Sequence, residues 1–142
     1  MTDGRILADV EIRTPDGAAL VADAHVPASE AGAPVPTIVL VTPYGRRRQF
    51  LLKLSRALVA RGFGVLLVDY RGRGASSGEF DLEHVREDGR AILEWLAMQA
   101  WCDGRVGLLG ISMSSLPAFL MAGERCRGIE VRAFVNLMGQ LD

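Results

Sequence analysis

The chain has 142 residues, 49% of them hydrophobic and 23% charged, with a net charge of −1. That length supports one hydrophobic core and is too short for two. The near-neutral balance leaves no basic footprint for nucleic acid, and no uncharged apolar run reaches the ~18 residues that a membrane span requires.

The opening Met1-Thr2-Asp3-Gly4-Arg5 is polar, with no apolar stretch behind it that would read as a secretory signal. Cys102 and Cys126 are too few for a disulfide framework and lack metal-ligand spacing, so both read as small thiols in or near the core. A cytoplasmic location is the resulting expectation. No metal or organic cofactor is implied.

Residues 7–26 read as a hairpin: Val10 to Arg13 alternates, Thr14-Pro15-Asp16-Gly17 supplies turn chemistry, and Leu20 to Val26 alternates again. Residues 27–36, rich in Ala, Pro, Ser and Gly, read as a surface connection. A β/α core is expected over 37–137, within a single partial domain covering 1–142. Thr37 to Val41 is a continuous apolar run, the pattern of a strand buried on both faces, and Thr42-Pro43-Tyr44-Gly45 ends it. Leu51, Leu54 and Leu58 recur at helical spacing before Arg61-Gly62, a cation followed by a left-handed cap. Val65 to Val68 is a second buried strand, running into the glycine-rich loop from Asp69 to Phe80. Val85, Gly89, Ile92 and Leu96 mark one face of the next helix, with Gly89 expected to lie close to the sheet. Trp101-Cys102-Asp103-Gly104 reads as a turn into the central strand. A helix is expected from Leu116 to Gly123, with Pro117 harmless in its first turn, and Ala133 to Leu137 reads as a final strand. Buried strands alternating with helices predict right-handed crossovers and a mostly parallel sheet, to which the hairpin adds an antiparallel edge.

Chemistry concentrates where strands end, because in a parallel sheet the working groups collect at the carboxyl ends. The run Gly107-Leu108-Leu109-Gly110-Ile111-Ser112-Met113-Ser114 places a serine between small residues at a strand-to-helix junction. That is the pattern of a nucleophile elbow, G-x-S-x-G, with Ser114 in place of the second glycine. Ser112 is the candidate nucleophile. The backbone N–H of Met113 is a candidate oxyanion donor, and the loop after the first buried strand offers a second, the Tyr44 hydroxyl or a neighbouring backbone N–H. Asp69, Arg71 and Arg73 read as structural, the acid pinning the glycine-rich loop and pairing with an arginine. Arg46-Arg47-Arg48 reads as a solvated approach to a helix, with anchorage of an anionic substrate as the minority alternative.

Thr42-Pro43-Tyr44-Gly45, the Asp69 to Phe80 loop, and Gln99-Ala100-Trp101-Cys102-Asp103-Gly104-Arg105-Val106-Gly107 leading into Gly110-Ile111-Ser112 together resemble the X-Pro dipeptidyl-peptidase and cocaine-esterase family of α/β-hydrolases. The resemblance spans roughly residues 7–137. It implies an α/β-hydrolase fold with the C-terminal half absent, and a serine hydrolase acting on a small-molecule ester or peptide, including X-Pro peptide bonds, through an acyl-enzyme. It assigns Ser112 as nucleophile, with Met113 N–H and the Tyr44 hydroxyl as oxyanion donors. The family commonly has tyrosine after the nucleophile, where this chain has Met113. In this fold the triad order is serine, acid, histidine. The two histidines, His25 and His84, both precede Ser112, so the chain reads as a fragment whose triad histidine lies beyond residue 142, with Asp142 a weak candidate for the acid. Two alternatives stand beside the hydrolase: an acyl-transferase or thioesterase of the same fold, and a non-catalytic truncated binding or subunit protein. An exposed edge on the final strand leaves a homo-oligomer open.

Overall fold

The computed structural model describes residues 4–137. Six strands, β1 (Arg5–Arg13), β2 (Ala19–Val26), β3 (Val35–Val41), β4 (Gly64–Asp69), β5 (Cys102–Ile111) and β6 (Glu130–Leu137), form one sheet in the order β1-β2-β4-β3-β5-β6. The β1–β2 and β2–β4 pairings are antiparallel, and β4–β3, β3–β5 and β5–β6 are parallel. This is the mixed sheet of an α/β-hydrolase fold with an antiparallel hairpin at its amino-terminal side.

Three helices, α1 (Leu52–Val59), α2 (Leu82–Ala97) and α3 (Ser115–Ala122), cover the sheet. Val65 and Leu67 of β4 join Leu40, Leu51 and Ile111 in a cluster lined by α1. Leu66 and Val68 point the other way, into the larger cluster with Ile92, Leu96 and Met121 of α2 and α3. Every residue of β4 is therefore buried, which is why its sequence is apolar without alternation. Each such fully buried leucine contributes about 2 kcal/mol through removal from water.

Two local expectations change. Gly89 does approach a neighbour closely, but the neighbour is α3: a Cβ there would lie 3.1 Å from the Met121 Cβ. The helix pair α2–α3 takes the close contact, and the apolar spacing of α2 alone cannot distinguish a helix from a sheet as partner. β5 also begins four residues earlier than Val106, at Cys102, which pairs with Val35 before a register shift. Gly104, at φ 91°, sits against the Gly128 carbonyl, so the residues that look like a turn are an irregular strand start.

Arg71, only 3% exposed, locks the hairpin turn to α2. Its guanidinium makes two bonds to Asp88 (2.9 and 2.6 Å) and two to Asp16 (2.6 and 2.8 Å). Burial pushes the Asp88 carboxyl up, opposed by the Arg71 hydrogen bonds, while the Arg71 bonds hold Asp16 well below the usual carboxylate range. Removing the guanidinium alone strands a buried carboxylate. Arg71→Met is expected to lower unfolding free energy by about 3–5 kcal/mol in urea titrations, and adding Asp88→Leu should recover a large part of the loss.

Candidate active site

β5 ends at Ile111, and a single 3₁₀ turn, Ser112–Ser114, carries the chain straight into α3. Ser112 has φ 52°, in the left-handed region that non-glycine residues rarely enter, and its side chain is exposed. Such a backbone costs of order 1–3 kcal/mol. The turn is this tight because strand and helix nearly touch: a Cβ on Gly110 would lie 2.5 Å from the Ser115 Cα and 2.8 Å from the Ser114 carbonyl oxygen. Ser114, fully buried, closes the hairpin with its own hydroxyl, which accepts from the Ile111 N–H (2.8 Å) and donates to the Ile111 carbonyl (2.9 Å). Ser115 donates to Asn136 Oδ1 at 2.5 Å, tying the helix start to β6. Met113 lies in the first turn of this helical segment, where backbone N–H groups lack intrahelical acceptors.

Tyr44 occupies a turn just past β3. The Arg46 N–H donates to the Pro43 carbonyl (3.1 Å), and Gly45, at φ 72°, supplies the left-handed position. Thr42 is anchored by its N–H and hydroxyl, both donating to the Val68 carbonyl. β3 and β5 are parallel neighbours, with Leu40 opposite Leu109, so Tyr44 and Ser112 emerge at the same end of the sheet from strands ~4.8 Å apart. The Tyr44 ring lies under the Arg73 guanidinium, 4.4 Å from its centroid.

Beside these loops, a cavity of about 260 Å³ is lined by Arg47, Arg48, Gln49, Asp69, Gly74 and Ala75. Of the three arginines expected to form a solvated stretch, Arg46 and Arg47 are exposed but Arg48 is not. Arg48 is 6% exposed and meets three carboxylates: Asp9 at 2.7 Å, Asp23 at 3.0 Å and Asp69 at 3.2 Å. It also supplies the arginine partner of Asp69, while Arg71 pairs elsewhere. The three acids come from β1, β2 and β4, far apart in sequence, so no local signal separates Arg48 from its two exposed neighbours. Burial raises the Asp69 pKa, opposed by the Ala75 N–H and Arg48, and its Oδ1 has no hydrogen-bond partner.

Both histidines have hydrogen-bond partners other than Ser112. His25 pairs with Val65 at the amino-terminal end of β4, the opposite end of the sheet, and its Nδ1 is 2.7 Å from the buried Ser55 hydroxyl. His84, in the first turn of α2, has Nδ1 2.7 Å from Asp81 Oδ2, and this bond raises its pKa. Asp81 also caps the helix by accepting from the His84 N–H. Asp142 lies outside the described residues. Among the described residues, no group of three or more His, Cys, Asp or Glu side chains is arranged to hold a metal, and no helix is long and apolar enough to cross a membrane.

Three comparisons bear on this geometry. Residues 16–140 match the family model described as X-Pro dipeptidyl-peptidase (S15 family). Cocaine esterase of Rhodococcus sp. (strain MB1 Bresler) is 35% identical over 141 residues, covering 94% of this chain and 24% of the esterase, so the chain spans about a quarter of that relative's length. Among solved structures, a hypothetical protein from Pseudomonas aeruginosa superimposes with a TM-score of 0.76 at 23% identity, over 95% of this chain and 42% of that one. An esterase of Pyrococcus furiosus gives 0.70 at 23% identity, over 90% and 46%. At these identities the two structures bear on the fold alone.

Burial lowers the His25 pKa. The unfolded state therefore binds the proton more readily, and stability rises with pH. Denaturation midpoints are expected to fall as pH drops below the ordinary histidine value of about 6.5, and a His25→Gln variant should lack that segment of the pH dependence.

Proposed function

Because the chain belongs to the X-Pro dipeptidyl-peptidase (S15) family, we propose that it carries the nucleophile and oxyanion donors of a serine hydrolase acting on ester or amide bonds. The observation that carries this reading is Ser112: an exposed serine in a left-handed backbone conformation at a strand-to-helix crossing too tight for any side chain at Gly110. A packing role would leave that hydroxyl pointed inward or paired. Among the described residues it has no hydrogen-bond partner.

On this reading Ser112 Oγ attacks the acyl carbon and gives its proton to a base. The carbonyl oxygen becomes the oxyanion, accepting hydrogen bonds from the Met113 N–H and the Tyr44 hydroxyl. Collapse expels the alcohol or amine, which leaves with the proton, and water then frees the acyl group from the serine. On this reading the base is a group other than His25 and His84, which are bonded to Ser55 and Asp81. The exposed side chains of Met113 and Leu116 beside the elbow favour an apolar group on the substrate.

Ser112→Ala in the complete enzyme is expected to abolish covalent capture of a fluorophosphonate probe and to reduce ester turnover by at least about a thousandfold. Turnover within twofold of the parent protein would overturn the assignment.

A further inference from the structure

Tyr44 needs a fixed ring if its hydroxyl is to meet a developing oxyanion, yet it is 56% exposed and its hydroxyl has no hydrogen-bond partner among the described residues. The contact that holds it comes from the neighbouring loop. We infer that Arg73 is the positioning residue of Tyr44, stacking on the ring face and leaving the hydroxyl edge free for substrate. The inference rests on the oxyanion role proposed for Tyr44.

The guanidinium is itself tightly placed. Its Nε donates to the Tyr70 hydroxyl (3.3 Å), and its centre lies 5.9 Å from the Tyr70 ring. Tyr70 is buried and packs edge-on against Phe80, with ring centroids 5.6 Å apart. The backbone is fixed as well: the Arg73 N–H donates to the Tyr70 carbonyl (3.0 Å), and the Ser76 N–H donates to the Arg73 carbonyl (2.9 Å). Gly72 and Gly74 flank Arg73 with φ of 70° and 51°. A Cβ at Gly74 would collide with the Asp69 carboxylate, which also accepts from the Ala75 N–H at 3.2 Å. The end of β4 thus sets the glycine-rich loop, the loop sets Arg73, and Arg73 sets Tyr44.

The chemistry suits arginine. A planar guanidinium covers an aromatic face, and no carboxylate lies within ion-pair distance of Arg73 among the described residues. Arg48 and Arg71, one loop apart, are by contrast fully engaged by acids. The Arg73 charge is committed to the aromatic pair.

The test is a double-mutant cycle in the complete enzyme with a neutral p-nitrophenyl ester, so that recognition of a substrate anion plays no part. Arg73→Met should lower kcat about tenfold with KM little changed. In the Tyr44→Phe background the same substitution should add less than about twofold, because the group it positions is already gone. Equal losses in both backgrounds, or no loss from Arg73→Met where Tyr44→Phe is impaired, would overturn the inference while leaving the oxyanion role intact. An unimpaired Tyr44→Phe would overturn the oxyanion role itself, and the inference with it. A readout independent of turnover is the proton NMR spectrum of the complete enzyme. Arg73 side-chain protons should be shifted upfield by the Tyr44 ring and return toward ordinary values in Tyr44→Leu. Ordinary values in the parent chain would overturn the inference.

Discussion

The candidate site depends first on the close crossing of β5 and the start of α3. With a Cβ at Gly110 only 2.5 Å from the Ser115 Cα, the backbone has no room for a gradual turn. The reversal is completed in three residues, and Ser112 is left in the left-handed region with its hydroxyl outside. Ser114 and Ser115 then stabilise the crossing from within, one bonding back to Ile111 and the other across to Asn136. Steric exclusion at one glycine and three short polar bonds together define where the serine points.

The loops around that serine are held by buried charge rather than by apolar packing. Arg48 gathers Asp9, Asp23 and Asp69 from three strands. Arg71 joins the hairpin turn to α2 through Asp16 and Asp88. Both guanidiniums are almost fully buried, where an unpaired charge would be strongly destabilising, so each acts as a geometric constraint on the segments that supply its partners. Asp9 shows the strength of the constraint: it sits at φ 52° in an irregular stretch of β1, its N–H donating to Asp23 and its carboxylate bonded to Arg48.

The fold class was legible because its signals are local. Val65 to Val68 is apolar without alternation since helices cover both of its faces, and Gly62, at φ 89°, occupies the helix-ending position its sequence context demands. Ser112 and Tyr44 stand out in the sequence for a similar reason: each follows a buried strand within a few residues, so placing the strands places them. What escaped the sequence depends on long-range pairing. Gly89 touches Met121 rather than the sheet, and nothing in the spacing of α2 names its partner. Arg46, Arg47 and Arg48 are chemically identical in the sequence, and only acids up to 39 positions away distinguish the third. The early start of β5 depends likewise on Val35, a residue on another strand.

The left-handed serine also bears on how this protein would change over generations. Glycine adopts that conformation freely, and asparagine more readily than serine. A lineage released from any need for the hydroxyl would gain stability by replacing Ser112 with either one, without disturbing Gly110 or the helix that follows. Serine at this position thus carries a conformational cost that glycine would not. Its retention or drift in descendants of this chain would record whether the proposed nucleophile was under selection, independently of any assay.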